Sequence, residues 1–326
     1  MLQIGVIGTG SMGKNHARVC SELAEVELVG VADRDKTTAI RVADRCDTKA
    51  YVDFTEMLSD VDAVIVATPT ITHHDIAMEA LVAGKHVLVE KPICDSVHKA
   101  QQLVNKAEKE NLVLAVGHIE RHNPVVRFVK DAMVEGRYGD LITLATKRVS
   151  NFPGRIRDVG VILDFGVHDI DVMRYLAGEV TSVYARAGTF NRSINHEDHA
   201  SIVLTFKDGV SGVVEVNWLT PMKIRRLSLT CSEHFVEADY IDQSVTVSSS
   251  SYEDVDEMDL YRVPIQYNIN RVALESREPL KNEIEDFVTA IVDNRKPLAT
   301  GHDGIMALKV AEAALVSYRQ DEAVDI

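Results

Sequence analysis

Short apolar runs and amphipathic stretches alternate through the first 118 residues of the chain. Apolar or β-branched runs lie at 2–8, 26–33, 63–68, 86–90 and 113–118, with little of the alternation of a half-exposed strand. Continuous runs of this kind suit parallel strands covered on both faces. Helical spacing of apolar residues fills the intervals 11–23, 36–45, 73–83 and 96–110. Ala83-Gly84-Lys85 supplies a stop for the third of these, because glycine accepts the left-handed conformation that closes a helix. Strand and helix alternating at this length predict βαβ units in a doubly wound parallel sheet of Rossmann type.

The pattern changes after about residue 120. A helix is predicted over 124–135, ending at Gly136, then a strand over 141–149, a loop over 150–159 and a helix near 165–176. Period-two runs recur at 180–190, 200–206, 210–216, 225–230 and 245–249, and Lys207-Asp208-Gly209 is a tight hairpin signal between two of them. Helices return at 281–293 and 304–318. This half reads as an α/β domain with a large open, mainly antiparallel sheet and helices on one face. The expected division of the 326 residues is therefore 1–119 and 120–326.

Composition narrows the function classes. Apolar residues make up 46% and charged residues 26%, which excludes disordered and fibrous chains. Lys and Arg number 35 against 50 Asp and Glu, a net charge of −15. Such a surface repels phosphate backbones and anionic lipid, so neither nucleic acid nor membrane is an expected partner. Any anionic ligand must be held by local cations or backbone amides. Cys20, Cys46, Cys94 and Cys231 are scattered without CxxC spacing and read as buried thiols of a reducing cytosol. No secretory pattern opens the chain and no run has membrane-spanning length, so the expected location is cytoplasmic.

The strongest local signal is Gly8-Thr9-Gly10-Ser11-Met12-Gly13, placed between a predicted strand and a predicted helix. Gly8 permits a tight turn, Gly10 lets a pyrophosphate approach the backbone, and Gly13 allows close helix–strand packing. The helix N-terminus then offers free N–H groups to phosphates. Asp33 follows Gly13 by twenty residues at the end of the second strand. A carboxylate there accepts from ribose hydroxyls and repels a 2′-phosphate, favouring NAD over NADP; the adjacent Arg34 is a cation that pulls the other way. Thr68-Pro69 and His73 follow the next strand beside the expected cofactor. Glu90-Lys91-Pro92 closes the strand after that, where Lys91 would face the cofactor's reactive end and stabilise alkoxide charge.

In the second half, Asp164 and His168 are four residues apart, which on a helix puts them on one face. Histidine titrates near neutrality and can take a hydroxyl proton as hydride leaves the same carbon. His118, Arg121 and Asn123 cluster at the expected domain junction and are candidate substrate-binding residues, with Arg121 and Lys91 among the cations expected to face an anionic ligand. Arg155 and Arg157 concentrate positive charge in one loop, suited to a phosphate or carboxylate. His196, Asp198 and His199 look like metal ligands but lack further partners, so no metal is expected.

Taken together, Gly8–Gly13, Ala67-Thr68-Pro69 with His73, Glu90-Lys91-Pro92, and Asp164 with Gly166 and His168 resemble the Gfo/Idh/MocA oxidoreductase family through nearly the whole chain. The resemblance implies a Rossmann domain and an α/β substrate domain. It also implies Lys91, Asp164 and His168 as the catalytic set, oxidation of a secondary sugar or cyclitol hydroxyl with NAD(P), and a homodimer or homotetramer built through the exposed sheet. The segment from Val116 to Pro124 further resembles UDP-N-acetylglucosamine 3-dehydrogenases, with His122 where an aromatic residue is expected. An inositol or free-sugar dehydrogenase would carry the same catalytic set. A non-catalytic dinucleotide-binding regulator would need the glycine loop but not Lys91, Asp164 and His168. Transient use of NAD in hydrolysis or elimination would yield no net NADH.

Overall fold

A computed structural model describes residues 1–152, 154, 159–191, 193–252 and 265–326. The chain forms two compact units. The first comprises Met1–His122 and Arg277–Lys309, the second Asn123–Ser276 and Val310–Ile326. The chain therefore passes between units three times, whereas the sequence pattern suggested one boundary near residue 120.

The first unit is built on β1 (Leu2–Ile7), α1 (Gly13–Glu22), β2 (Val26–Ala32), α2 (Lys36–Cys46), β3 (Lys49–Tyr51), β4 (Ala63–Val66), α3 (His73–Val82), β5 (His86–Glu90), α4 (Val97–Lys109) and β6 (Leu114–Gly117). The six strands are parallel, in the order β3-β2-β1-β4-β5-β6. Every residue of β4 is buried, as are Val87, Leu88 and Val89 of β5. That two-sided burial is why these strands read as continuous apolar runs. Strand order reverses between β1 and β4, which places the turns after Ile7 and Val66 at the carboxyl-end crevice of the sheet. β3 is short and carries the polar start Lys49, so its pattern was not legible in sequence.

The second unit contains α5 (Pro124–Val134), β7 (Leu141–Asn151), α6 (Val167–Ala177), β8 (Val180–Gly188), β9 (His199–Phe206), β10 (Ser211–Asn217), β11 (Leu219–Cys231), β12 (Phe235–Asp239), β13 (Ser244–Tyr252) and β14 (Ile265–Val272). After α7 (Pro279–Val292), α8 (Gly301–Gln320) and β15 (Val324–Asp325) end the chain. Nine strands form one sheet in the order β14-β13-β12-β11-β7-β10-β9-β8-β15, antiparallel except for the β7–β10 pair. In β9 burial alternates strictly, with Ala200, Ile202, Leu204 and Phe206 inside. These side chains pack in one core with Val125, Val129, Ile170 and Met173 of α5 and α6. One covered face and one open face account for the period-two pattern.

The predicted strand at 225–230 is longer in the structure. Its register shifts between Leu219 and Ile224, a bulge that accommodates Pro221 and breaks the alternation the sequence pattern relied on. β12, β14 and β15 were also absent from the sequence reading. Among the described residues, no helix is long and apolar enough to cross a membrane.

Candidate active site

In the first unit, Gly8 leaves β1 at φ +91°, and a Cβ there would stand 2.7 Å from the Ala67 carbonyl carbon and oxygen. A Cβ on Gly13 would lie 1.8 Å from the Gly8 carbonyl oxygen, so that position tolerates no side chain. Gly10 differs: a Cβ there meets nothing within 4 Å. No side chain caps the α1 N-terminus and no acidic residue occupies its first turn. The Lys14 and Asn15 amides turn back to the Gly10 and Met12 carbonyls, while the positive end of the helix dipole has no side chain to neutralise it, which suits an anion.

Asp33 braces this loop. Its Oδ2 accepts from the Thr9 amide and hydroxyl, both at 2.8 Å, and its Oδ1 accepts from the Asp35 amide at 2.9 Å. A carboxylate offers about four lone-pair sites, so acceptor capacity remains for a ribose. Arg34 and Ser11 are exposed, and Met12 is half-buried.

Glu90 and Lys91 sit on a buried network that sequence spacing did not reveal. His16, fully buried on the inner face of α1, approaches Glu90 Oε1 at 2.7 Å through Nε2. The other Glu90 oxygen accepts the Lys91 amide at 3.3 Å. Burial pushes the Glu90 carboxyl up, but the hydrogen bond and charge of His16, with the charges of Lys91 and His73, outweigh it and hold the group below its ordinary range. Lys91 itself is half-buried and precedes Pro92 through a cis peptide. The only sequence signal for His16 was its place three residues after Gly13; its partner lies 74 positions away.

His73 is 1% exposed, with Nδ1 2.9 Å from the Pro92 carbonyl and Nε2 2.9 Å from the Thr68 carbonyl. Burial keeps its pKa below the ordinary histidine value. A neutral imidazole carries one N–H, so the ring donates to one of these two carbonyls and only packs against the other. Thr68 is half-buried and Pro69 exposed.

His118 is buried. Arg121, also buried, donates to the Leu298 carbonyl at 2.9 Å and to Asp303 Oδ1 at 3.0 Å, so its charge is balanced inside this unit. The Arg121 charge is the second-largest influence on Asp303 after burial, and with the Thr300 bonds it holds that carboxyl below its ordinary value.

In the second unit, Asp164 lies in a π-helical turn, Ile162–Gly166, that runs into α6. The Val167 amide reaches back five residues to the Ile162 carbonyl. The four-residue spacing from Asp164 to His168 thus spans a widened turn rather than regular α-helix, and single π turns of this kind recur at functional sites. Asp164 is buried and His168 half-buried. Glu197 anchors the start of this segment: its Oε1 accepts the Ile162 amide at 3.1 Å, and a Cβ on Gly160 would fall 2.0 Å from that same oxygen. Beneath α6, Arg148 and Asp169, each 1% exposed, form a two-contact ion pair at 2.9 and 3.2 Å.

Asn123 caps α5, accepting the Val125 amide at 3.3 Å, and donates to the Tyr240 carbonyl at 3.2 Å. Asp198 accepts from the Phe190 and Asn191 amides and lies 2.8 Å from His199 Nδ1, which makes it a loop brace. Among the described residues, no group of three His, Cys, Asp or Glu could hold a metal ion. Arg155 and Arg157 fall outside the described residues.

Two family models match the chain: the oxidoreductase family with NAD-binding Rossmann fold over residues 2–118, and the GFO/IDH/MocA C-terminal domain over residues 126–237. The UDP-N-acetylglucosamine 3-dehydrogenase of Acidithiobacillus ferrooxidans is 29% identical over 314 residues, which are 96% of this chain and 95% of that one. Its solved structure matches with a TM-score of 0.88 at 28% identity, covering 98% of each chain. The inositol 2-dehydrogenase of Rhizobium meliloti is 28% identical over 337 residues, covering 100% of this chain and 99% of that one. GenD2 from gentamicin A biosynthesis, solved with NAD, matches with a TM-score of 0.84 at 25% identity over 100% of this chain and 96% of that one. With both halves matched in order and the glycine loop in place, the chain belongs to the Gfo/Idh/MocA family of oxidoreductases.

Proposed function

We propose that the protein is an NAD-dependent dehydrogenase that oxidises a secondary hydroxyl, at C3, of a nucleotide-activated amino sugar such as UDP-N-acetylglucosamine, giving a keto sugar. The observation that carries this reading is the end-to-end likeness to a dehydrogenase of that substrate, in a chain that retains Lys91, Asp164 and His168. The inositol reading rests on a likeness of similar strength to an inositol 2-dehydrogenase.

NAD fits the first unit. The open position in front of Gly10 and the uncapped α1 N-terminus suit a pyrophosphate, and Asp33 suits an adenosine ribose without a 2′-phosphate. When bound, the nicotinamide supplies the hydride acceptor. Lys91 donates a hydrogen bond to the reacting hydroxyl and stabilises the alkoxide that develops there. His168 accepts the hydroxyl proton, and Asp164 orients it for that transfer. His73 and Glu90 act as positioning residues for the turns that carry Thr68, Pro69 and Lys91. In this reading the first unit holds the cofactor, and the second binds substrate and forms the homodimer or homotetramer through its open sheet face. Arg155 and Arg157 would grip the diphosphate.

The test is incubation with NAD and a panel of UDP-sugars, inositols and free hexoses, followed at the nicotinamide absorbance. NADH formation with UDP-N-acetylglucosamine is expected. Turnover of inositol alone would replace the substrate assignment, and NAD binding without turnover of any member would favour a regulator. Lys91→Ala and His168→Ala are each expected to lower kcat by about 10²–10⁴-fold, with NAD affinity retained. Near-normal turnover in both would remove these roles. Titration should show NAD binding more tightly than NADP.

A further inference from the structure

The second unit contains a cavity of about 500 Å³, within the range of small-molecule sites. Trp218, Phe152 and Ile194 form its apolar side, and Ser193, Asn195 and His196 supply polar groups. The aromatic side is rigid. Trp218 is 2% exposed and meets Phe152 edge-on at 5.5 Å between ring centroids. It also meets Phe165 edge-on at 6.1 Å, and Phe165 belongs to the π turn that carries Asp164. The polar side is held out differently. Asp198 ties down the Phe190 and Asn191 amides, and Asn191 Oδ1 accepts the Ser193 amide at 3.0 Å. Among the described residues, the Ser193 and Asn195 side chains take part in none of the loop's hydrogen bonds, so the braced backbone presents them outward.

A cavity lined by both aromatic and short hydrogen-bonding side chains matches a flat heterocycle with polar edges better than a polyhydroxylated ring alone. We infer that this cavity receives the uridine of a nucleotide-sugar substrate, with the base against Phe152 and Ile194, which Trp218 backs from the buried side, and its polar edge met by Ser193, Asn195 and His196. The inference rests on the nucleotide-sugar reading above and adds to it the place where the nucleoside is recognised.

Trp218 is the chain's one tryptophan, so its emission reports on this cavity directly. The full-length protein, saturated with NAD, is titrated with UDP, UMP, uridine, N-acetylglucosamine and myo-inositol while Trp218 emission is followed. Saturable change with UDP and UMP, and none with N-acetylglucosamine or myo-inositol, is expected. Asn195→Ala, at an exposed position, and His196→Ala should each weaken UDP binding roughly fivefold by calorimetry, the worth of one net hydrogen bond. Oxidation of UDP-N-acetylglucosamine with no Trp218 response to UDP overturns the inference and leaves the function standing. A response to UDP-N-acetylglucosamine but not to UDP gives the cavity to the sugar and also overturns it. Oxidation of inositol with no UDP binding overturns both.

Discussion

Gly10 and Gly13 show how two glycines of one motif answer to different forces. At Gly13 a methyl group would press on the Gly8 carbonyl oxygen, a backbone atom that cannot move aside. At Gly10 nothing of the protein stands within reach. Gly13→Ala is therefore expected to lower the melting temperature, whereas Gly10→Ala should keep it and weaken NAD binding at least tenfold; the pair is read by thermal melts and calorimetric titration. Equal stability and equal NAD affinity in both would remove the assignment of this loop. Glu283 makes a second residue-level case. It is 2% exposed, and neither carboxyl oxygen has a hydrogen-bond partner among the described residues. Burial, then the charges of Glu90, Asp286 and Glu120, push it well above its ordinary 4.5. The folded state thus holds a proton that the unfolded chain releases, so this contribution to stability is present below the ordinary value and is lost as pH rises through the raised one. Glu283→Gln should lose less stability than wild type between acid and neutral pH in denaturant titrations, and parallel curves would refute this. Glycine spacing and an acidic Asp33 were legible in sequence, because motif geometry is local. Glu283 and His16 were not, since their partners come from distant segments.

At the level of elements, the beginning of α6 is decided by contacts rather than by helix propensity. Glu197 receives the Ile162 amide, Gly160 leaves room for that carboxylate, and the π turn follows. The sequence pattern predicted a helix near 165–176, with His168 in it and Asp164 just before it, but nothing in the spacing announced the widened turn. Beneath the helix, Arg148 and Asp169 are sealed from solvent. A buried pair of this kind adds little over apolar residues, yet breaking one partner leaves an uncompensated charge. Asp169→Ala is expected to destabilise the second unit by about 3–5 kcal/mol in urea unfolding. A loss of less than about 1 kcal/mol would mean that water or another acid reaches Arg148. β11 teaches the same lesson about patterns: Pro221 and the bulge around it hide a strand whose remainder, from 225, reads clearly.

For the molecule as a whole, the net charge of −15 means that, in the function proposed above, an anionic cofactor or substrate would have to be held by local cations or backbone amides. Arg121, one of the cations expected to face an anionic ligand, is instead engaged with Asp303 and the Leu298 carbonyl. Of the four thiols expected to be buried, Cys20, Cys94 and Cys231 are and Cys46 is half-buried; burial pushes Cys20 and Cys94 up to about 12. In calorimetry, NAD at one hundred times its Kd should stabilise the unit that binds it by about 2.7 kcal/mol. An unshifted trace would remove the first unit as the cofactor site.

Lys91, Asp164 and His168 became the candidate catalytic set through the family resemblance; the sequence by itself determined the class of fold and the glycine loop with its acidic partner. Each of these is written in short-range spacing: continuous apolar runs for buried parallel strands, alternation for the open sheet, and glycines where backbone must pass backbone. Only the tertiary structure decided that the chain passes between its two compact units three times, that His16 holds Glu90 behind Lys91, that Arg121 is committed to Asp303, and that a π turn separates Asp164 from His168. The reason is common to all four. A buried charge or a helix end must find partners wherever the folded chain brings them, and that distance in sequence leaves no periodic trace.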